Sequence, residues 1–103
     1  MKQPKKDARG GQKDQSYIFK LYVADDEPNS QMAKANLKII CDEYLKGRYQ
    51  MQEVDALIDF TSALKDNVFV TPTLILIAPG PRATVIGNLS GKEAVISALR
   101  LRK

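Results

Sequence analysis

The chain has 103 residues, of which 44% are hydrophobic and 27% charged, and its formal net charge is +4. These proportions are ordinary for a single globular domain with one modest core. No apolar run approaches the roughly 20 residues that span a bilayer, and no apolar N-terminal segment could act as a secretion signal, so we expect a cytoplasmic protein with no membrane partner.

The positive charge is concentrated in the first 15 residues, which hold five basic and two acidic side chains. The remaining 88 residues hold eleven basic and ten acidic groups. We therefore predict a disordered basic tail over residues 1–15 and one folded domain over residues 16–103. Nucleic acid is not an expected partner, because the tail has no aromatic side chain to stack on bases.

The chain contains no histidine and a single cysteine, Cys41. One thiol cannot close an intrachain disulfide, and metal sites without histidine or a second cysteine are rare. Acid–base and triad chemistry that depends on histidine is excluded. We therefore expect no metal, no cofactor and no catalytic residue.

The first predicted element is a strand over residues 17–24, which is nearly apolar throughout, as in a strand covered on both faces. An acidic turn from Asp25 to Pro28 ends it. Asn29 or Ser30 is the predicted N-cap of the helix that follows.

Apolar residues then recur at helical spacing and predict one buried stripe on a long helix that Gly47 ends. The stripe comprises Ala33, Leu37, Ile40, Cys41 and Tyr44. Because Cys41 lies on it, we interpret this residue as a small core side chain and not as a reactive thiol.

A weaker strand over residues 49–55 follows, with Tyr49 and Met51 alternating with glutamines. Residues 56–66 then carry a helical pattern of apolar side chains. Its members are Leu57, Phe60 and Leu64.

The most apolar run predicts a buried strand over residues 73–78. Pro72 cannot donate to a sheet ladder, so it must lie at the first position of this strand or at a bend. Pro79-Gly80-Pro81 forces a turn, after which residues 83–86 can return as a hairpin partner.

Ser90-Gly91-Lys92-Glu93 has the pattern of a capping box for a final helix. Basic residues at its end favour the negative pole of the helix dipole. The predicted buried residues are Ala94, Val95, Ala98, Leu99 and Leu101.

The predicted order is therefore β-α-β-α-β-β-α, an α/β fold with a central mixed sheet flanked by helices and a right-handed first crossover. This order, with Thr71-Pro72 before a central strand, resembles the thioredoxin-like fold. The resemblance implies that Pro72 is cis and faces the functional end of the sheet.

A thioredoxin-type redox enzyme needs a cysteine with lowered pKa at the start of the first helix and a second cysteine three residues on. This chain has Asp25-Asp26-Glu27-Pro28-Asn29-Ser30 there, and carboxylates cannot replace sulfur in that reaction. Disulfide exchange is excluded. Adjacent carboxylates in one loop usually face water, so we do not interpret them as a metal or acid–base site.

Four colinear stretches form a more specific pattern: Lys20-Leu21-Tyr22-Val23-Ala24, Pro28-Asn29-Ser30, Thr71-Pro72-Thr73-Leu74 and Ile86-Gly87-Asn88-Leu89-Ser90. Together they closely resemble the KaiB family of bacterial clock proteins, from about Tyr17 to Leu101. The resemblance implies a non-enzymatic protein that binds the hexameric ATPase KaiC, with KaiA and a clock histidine kinase as further partners.

The resemblance also implies two folded states. One is thioredoxin-like, binds KaiC and is a monomer or dimer; the other has a different C-terminal half and forms tetramers. Such switching needs two packings within a few kcal/mol of each other.

Where the family commonly has Gly and Asp in its last helix, this chain has Ala98 and Arg100. Gly to Ala favours a helix by about 1 kcal/mol, and a cation in the last turn, which we expect Arg100 to be, adds roughly 0.3–1 kcal/mol over a neutral residue. We therefore expect these two residues to bias the chain toward the thioredoxin-like state.

Other departures concern docking. Leu76, Ala83 and Thr84 stand where the family tends to have basic residues, and the acidic C-terminal extension of clock members is missing. Weaker KaiC binding, or a different partner, is the expected consequence.

The leading hypothesis is a KaiB-like regulator that binds a KaiC-type ATPase in a clock or in clock-derived signalling or stress responses. The predicted partner-binding residues are groups that we expect to be exposed near Pro72 and the start of the first helix: Asp25, Asp26, Asn29, Thr71 and Thr73. The alternative is a thioredoxin-like protein of redox or stress physiology without disulfide-exchange activity, and a weaker one is a nucleic-acid accessory protein that acts through the tail.

Overall fold

A computed structural model describes residues 16–102. The predicted tail over residues 1–15 lies outside the described residues, as does Lys103. The elements follow the predicted order: β1 (Tyr17–Val23), α1 (Pro28–Tyr44), β2 (Tyr49–Asp55), α2 (Phe60–Lys65), β3 (Thr73–Ala78), β4 (Ala83–Ile86) and α3 (Lys92–Leu99).

The four strands form one mixed sheet in the order β2-β1-β3-β4. β1 is parallel to β2, whereas the β1–β3 and β3–β4 pairs are antiparallel. The register pairs Val23 with Asp55, Tyr22 with Thr73, and Thr73 with Ile86. The ends of β1, β2 and β4 therefore meet the start of β3 at one edge, which we call the Pro72 end of the sheet.

The peptide bond between Thr71 and Pro72 is cis, as the thioredoxin-like resemblance implied. The bonds before Pro79 and Pro81, in the β3–β4 turn, are cis as well. Residues 83–101 form β4 and α3, so the chain has the thioredoxin-like arrangement.

The main core lies between the sheet and the layer formed by α1 and α3. The predicted α1 stripe is buried there up to Cys41, while Tyr44 is half-buried. On α3 the prediction is correct for Val95, Leu99 and Leu101 but wrong for two residues. Ala94 and Ala98 are exposed, because α3 packs only one side of its eight residues on the sheet.

The predicted N-cap of α1 is wrong by two or three residues. Glu27 is the N-cap, and its carboxylate accepts from the backbone N–H groups of Asn29 at 3.0 Å and Ser30 at 2.9 Å. Proline suits the first helical position, because its fixed φ is helical and its missing N–H is not needed there. Pro28 takes that position and shifts the cap to Glu27.

The predicted capping box at α3 does not form. Gly91 is the N-cap and makes no side-chain cap bond. Ser90 lies one residue too early to cap the helix. At the other end, Arg100 is not in the last turn: it is the C-cap, in left-handed conformation with φ 57° and ψ 41°.

The second helix is shorter than its pattern indicated. Residues 56–58 form a turn, and α2 has only the six residues Phe60–Lys65. Among residues 16–102, no helix is long and apolar enough to cross a membrane.

Candidate interaction surface

The Pro72 end of the sheet brings the predicted site residues together. Asp25 and Asp26 form the turn after β1, Asn29 lies in the first turn of α1, and Thr71 precedes the cis proline. Pro72 itself is buried, and its carbonyl accepts from the backbone N–H of Gly87 at 2.9 Å. The segment after β4 is thereby fixed against the start of β3.

Asn29 is exposed but already has a structural contact. Its side-chain oxygen accepts from the Asn88 amide at 3.1 Å, and Asn36 donates to the Asn88 carbonyl at 2.8 Å. These bonds join α1 to the β4–α3 loop. Asp25 and Asp26 are exposed, and Thr71 is half-buried.

Thr73 is not available at this surface. Only 1% of it is exposed, and its hydroxyl donates to the Val70 carbonyl at 2.7 Å. The expectation that it is an exposed contact is therefore wrong, because its side chain lies inside the bend that leads into β3. Thr73 holds that bend in place.

Sequence analysis missed an apolar groove beside this end, between α2 and the segment that returns to β3. We call it the α2 groove; it has a volume of about 240 Å³. Its lining residues are Ala56, Leu57, Phe60, Ala63, Leu64, Val68, Phe69, Val70 and Thr71.

The helical pattern over Leu57, Phe60 and Leu64 predicted a helix but not an exposed one. All three are more than half exposed, and on α2 itself only Ala63 is buried. The sequence did carry one signal, the number of apolar residues: residues 57–70 hold seven large apolar side chains, more than a helix of six residues can bury on one face.

Carboxylates lie at the rim of the α2 groove. Asp55 accepts from the Leu57 N–H at 2.9 Å, and Asp59, the N-cap of α2, accepts from the Ser62 N–H at 3.2 Å and hydroxyl at 2.8 Å. The bonds from Ser62 lower the pKa of Asp59, so it is ionised at neutral pH. The Ala56 N–H donates to the Val23 carbonyl at 2.8 Å, which brings the groove beside the Asp25 turn.

A charged cluster holds the other end of α2 on the sheet. Asp66 accepts from the Tyr22 hydroxyl at 2.5 Å and from Lys20 at 3.0 Å, and Arg82 lies 3.5 Å away. The Tyr22 bond is the main cause of the lowered pKa of Asp66, and the bonds from Lys20 and Arg82 lower that pKa further. The cluster therefore ties the C-terminal end of α2 to the sheet.

The position of Cys41 does not suit thiol chemistry. Cys41 is fully buried in α1, and burial raises the pKa of its thiol to about 12, so it stays protonated at neutral pH. Thiolate is the reactive form, so this cysteine is inert. Within residues 16–102, no group of three or more His, Cys, Asp or Glu side chains is arranged to hold a metal ion.

Comparison with solved structures supports the class of protein that these features define. The N-terminal domain of SasA from Synechococcus elongatus superposes with a TM-score of 0.72 at 22% identity, covering 97% of this chain and 92% of that one. Thioredoxin from Trypanosoma brucei brucei gives a TM-score of 0.66 at 21% identity, covering 82% and 73%. The chain is a thioredoxin-like α/β protein whose β1–α1 turn carries carboxylates in place of cysteines.

The sequence comparisons name the family. The KaiB domain model matches residues 20–101. The circadian clock oscillator protein KaiB of Rippkaea orientalis is 41% identical over 86 residues, which cover 84% of this chain and 83% of that protein. The chain belongs to the KaiB family.

The residues at which the sequence was expected to depart from the family pattern differ in their burial. Leu76 is fully buried in the main core, so in this fold it contributes to packing and not to a docking surface. Ala83 is half-buried, and of these three residues only Thr84 is exposed. Ala98 faces solvent on α3, and the Arg100 guanidinium donates to the Pro81 carbonyl at 2.5 Å.

Proposed function

We infer that this chain is a non-enzymatic regulatory protein that binds a KaiC-type ATPase in the cytoplasm. Its membership of the KaiB family, with a domain match over residues 20–101, is the observation that carries this proposal. Curated relatives at about 41% identity are named as circadian clock oscillator proteins, which supports a role in a clock or in signalling derived from one. KaiA and a histidine kinase are further candidate partners.

The Pro72 end is the proposed docking surface for the ATPase. Asp25 and Asp26 are exposed on the turn after β1, and Thr71 lies two residues before Thr73, which pairs with Tyr22 near the end of β1. In thioredoxin-like proteins this end carries the catalytic residues, and here the described residues at this end carry no sulfur. Exposed polar groups of this kind form the rim of a typical protein–protein interface.

The alternative is a thioredoxin-like protein in redox or stress physiology. The fold supports it. An insulin-reduction assay tests the absence of disulfide exchange that both functions share, because that reaction needs an accessible thiolate and Cys41 is buried and protonated. We expect no turnover, and measurable turnover would contradict both functions; binding to a KaiC homologue distinguishes between them.

Co-migration on a sizing column with a purified KaiC homologue, with ATP and with ADP, tests the proposal directly. The variant Asp26→Lys reverses one carboxylate at the docking surface, and Asp42→Lys reverses one exposed carboxylate on the far half of α1. We expect Asp26→Lys to weaken the complex and Asp42→Lys to leave it unchanged. Absence of a complex in every nucleotide state would count against ATPase binding.

A further inference from the structure

The α2 side of the molecule exposes apolar surface that its own fold does not use. Single exposed apolar side chains are ordinary, but a contiguous group on a monomer marks an interaction site. The exposed fractions are 71% for Leu57, 82% for Ile58, 62% for Phe60, 54% for Leu64, 76% for Phe69 and 51% for Val70. Five of these six side chains line the α2 groove.

The size of the groove restricts what can fill it. Its volume of about 240 Å³ lies below the roughly 300–1,000 Å³ of pockets that enclose a whole small-molecule ligand. It is large enough for a few apolar side chains. Anchors of this kind project from one face of an amphipathic helix or peptide that lies along a groove.

The charge around the groove restricts the occupant further. None of the described lining residues is charged, and the carboxylates of Asp55 and Asp59 lie at the rim. Both are fixed by hydrogen bonds to backbone N–H groups, and Asp25 and Asp26 lie on the adjacent turn. Lys65 is the cation on α2 itself, at the end away from Asp59.

The basic residues of the neighbouring sheet do not offset these carboxylates. Lys20 and Arg82 are both engaged by Asp66 at the far end of α2. The rim therefore presents net negative charge next to apolar surface. Complementary charge across an interface fixes its register and excludes like-charged partners.

We propose that the α2 groove binds a short amphipathic segment of another protein, with apolar side chains in the groove and Lys or Arg residues against Asp55, Asp59 and the Asp25 turn. This goes beyond ATPase binding at the Pro72 end, because it requires neither that ATPase nor any nucleotide. The chemistry of the occupant is set by the groove: apolar anchors at helical spacing, flanked by cations.

Two other occupants fit less well. A second copy of this chain would bring two acidic rims together, which like-charge repulsion opposes. The basic residues 1–15 could pair with the rim, but beyond Met1 they contain no large apolar residue to fill the groove. Both remain outcomes that the test can detect.

The probe is a fluorescent peptide of about 14 residues with leucines at i, i+3, i+4 and i+7 and lysines elsewhere. One control peptide replaces the leucines with serine, and another replaces the lysines with glutamate. Fluorescence anisotropy with the full chain gives the affinity. We expect the leucine–lysine peptide to bind at least about tenfold more tightly than either control, since both anchors and charge contribute.

Variants of the protein locate the binding. Phe60→Ser and Phe69→Ser remove exposed anchors of the groove, and Ile39→Ser removes an apolar side chain that is 58% exposed on α1. We expect each groove variant to bind the peptide roughly tenfold more weakly. The α1 control should bind with the wild-type affinity. Asp59→Asn should flatten the salt dependence of binding. Thermal unfolding checks that every variant is folded.

Four results would overturn the proposal. They are equal binding by the serine peptide, equal binding by the glutamate peptide, unchanged affinity in Phe60→Ser and Phe69→Ser, and concentration-dependent self-association that Phe69→Ser abolishes. A gain of about tenfold on deleting residues 1–15 would assign the groove to the chain's own tail and would also overturn it. None of these results bears on co-migration with the ATPase, so the two proposals fail independently.

Discussion

The two faces of the sheet bury different amounts of apolar surface. On one face, α1 and α3 cover a continuous core of fourteen buried residues among those described, from Phe19 to Leu101. On the other face, α2 covers a small cluster of five, around Tyr22 and Ile75. The large apolar residues beside this second cluster stay in solvent.

The difference indicates that most of the folding stability comes from one face of the sheet, while the other face leaves apolar surface exposed. Burial of apolar surface stabilises the fold, and most of it occurs on the α1–α3 face. The α2 face contributes little burial and instead presents a groove with an acidic rim. A short helix held by one charged cluster is also the kind of element that opens at low free-energy cost.

The sharpest test of the comparison is one aromatic residue from each face. Phe19 is fully buried in the main core, and Phe60 is 62% exposed on α2. We expect Phe19→Ala to lower the free energy of unfolding by about 3–5 kcal/mol and Phe60→Ala to change it by less than about 0.5 kcal/mol. Urea denaturation measures both, and similar losses would contradict the division between the faces.

The charged cluster under α2 gives the second test. Asp66 accepts from Tyr22 and Lys20, and its side chain is 16% exposed. Asp66→Asn should lower the free energy of unfolding by about 1.5–3 kcal/mol, because the half-buried hydrogen bonds from Tyr22 and Lys20 would no longer be made to a charged acceptor. Amide hydrogen exchange should speed up on α2 while α1 keeps its protection. Uniform acceleration across both helices would show that the faces are not independent.

The same cluster predicts a pH dependence. The pKa of Asp66 is lowered, chiefly by the Tyr22 bond, so its contribution is present above the carboxyl's unfolded pKa and is lost as pH falls through the lower folded value. The pKa values of Tyr22 and Lys20 are raised, so their contributions are lost at alkaline pH, from about 10 upward. The stability gap between wild type and Asp66→Asn should begin to narrow below about pH 4 and should close once the pH is below the lowered pKa of Asp66 in the folded protein. A gap that persists there would contradict the role of the ionised carboxylate.

The sequence predicted the order of elements because each element has a local signal. Strong periodicity identified α1 and its buried stripe, and apolar runs between turn residues identified β1 and β3. The boundaries of β3 and β4 agree with the structure, since prolines and glycine delimit both. The cis bond before Pro72 came from the thioredoxin-like resemblance and not from local chemistry.

Features that depend on tertiary contacts were not predictable in the same way. Glu27 caps α1 only because Pro28 occupies the first helical position, and two better-known cap residues follow directly. The Asp66 cluster joins residues more than 40 positions apart in sequence, with no motif to mark them. The burial of Thr73 and the exposure of Phe69 likewise follow from how the bend at Pro72 is packed.

The next test concerns α3, on the well-packed face, and the proposed bias of the chain toward the thioredoxin-like state over the alternative folded state. Ala98 is exposed within α3 and has no role in the core. Ala98→Gly should therefore destabilise α3 by about 1 kcal/mol through backbone entropy alone. NMR exchange between two folded states, or a shift toward larger oligomers on a sizing column, would report the proposed bias. Ala98→Ser is the matched control, because it also replaces the apolar methyl group but keeps a Cβ and so does not free the backbone as glycine does.

The smallest effect is expected at Arg100, and it separates backbone from charge. Arg100 ends α3 in the left-handed conformation, which glycine adopts without strain. Arg100→Gly should therefore stabilise the helix end by a few tenths to about 1 kcal/mol, although it removes the bond to the Pro81 carbonyl. Arg100→Asp keeps a side chain and reverses the charge near the negative helix pole, so it should destabilise the same end. If both variants lose stability by similar amounts in thermal unfolding, the Pro81 contact and not the backbone conformation controls how α3 ends, and Arg100 would bias the fold through that contact.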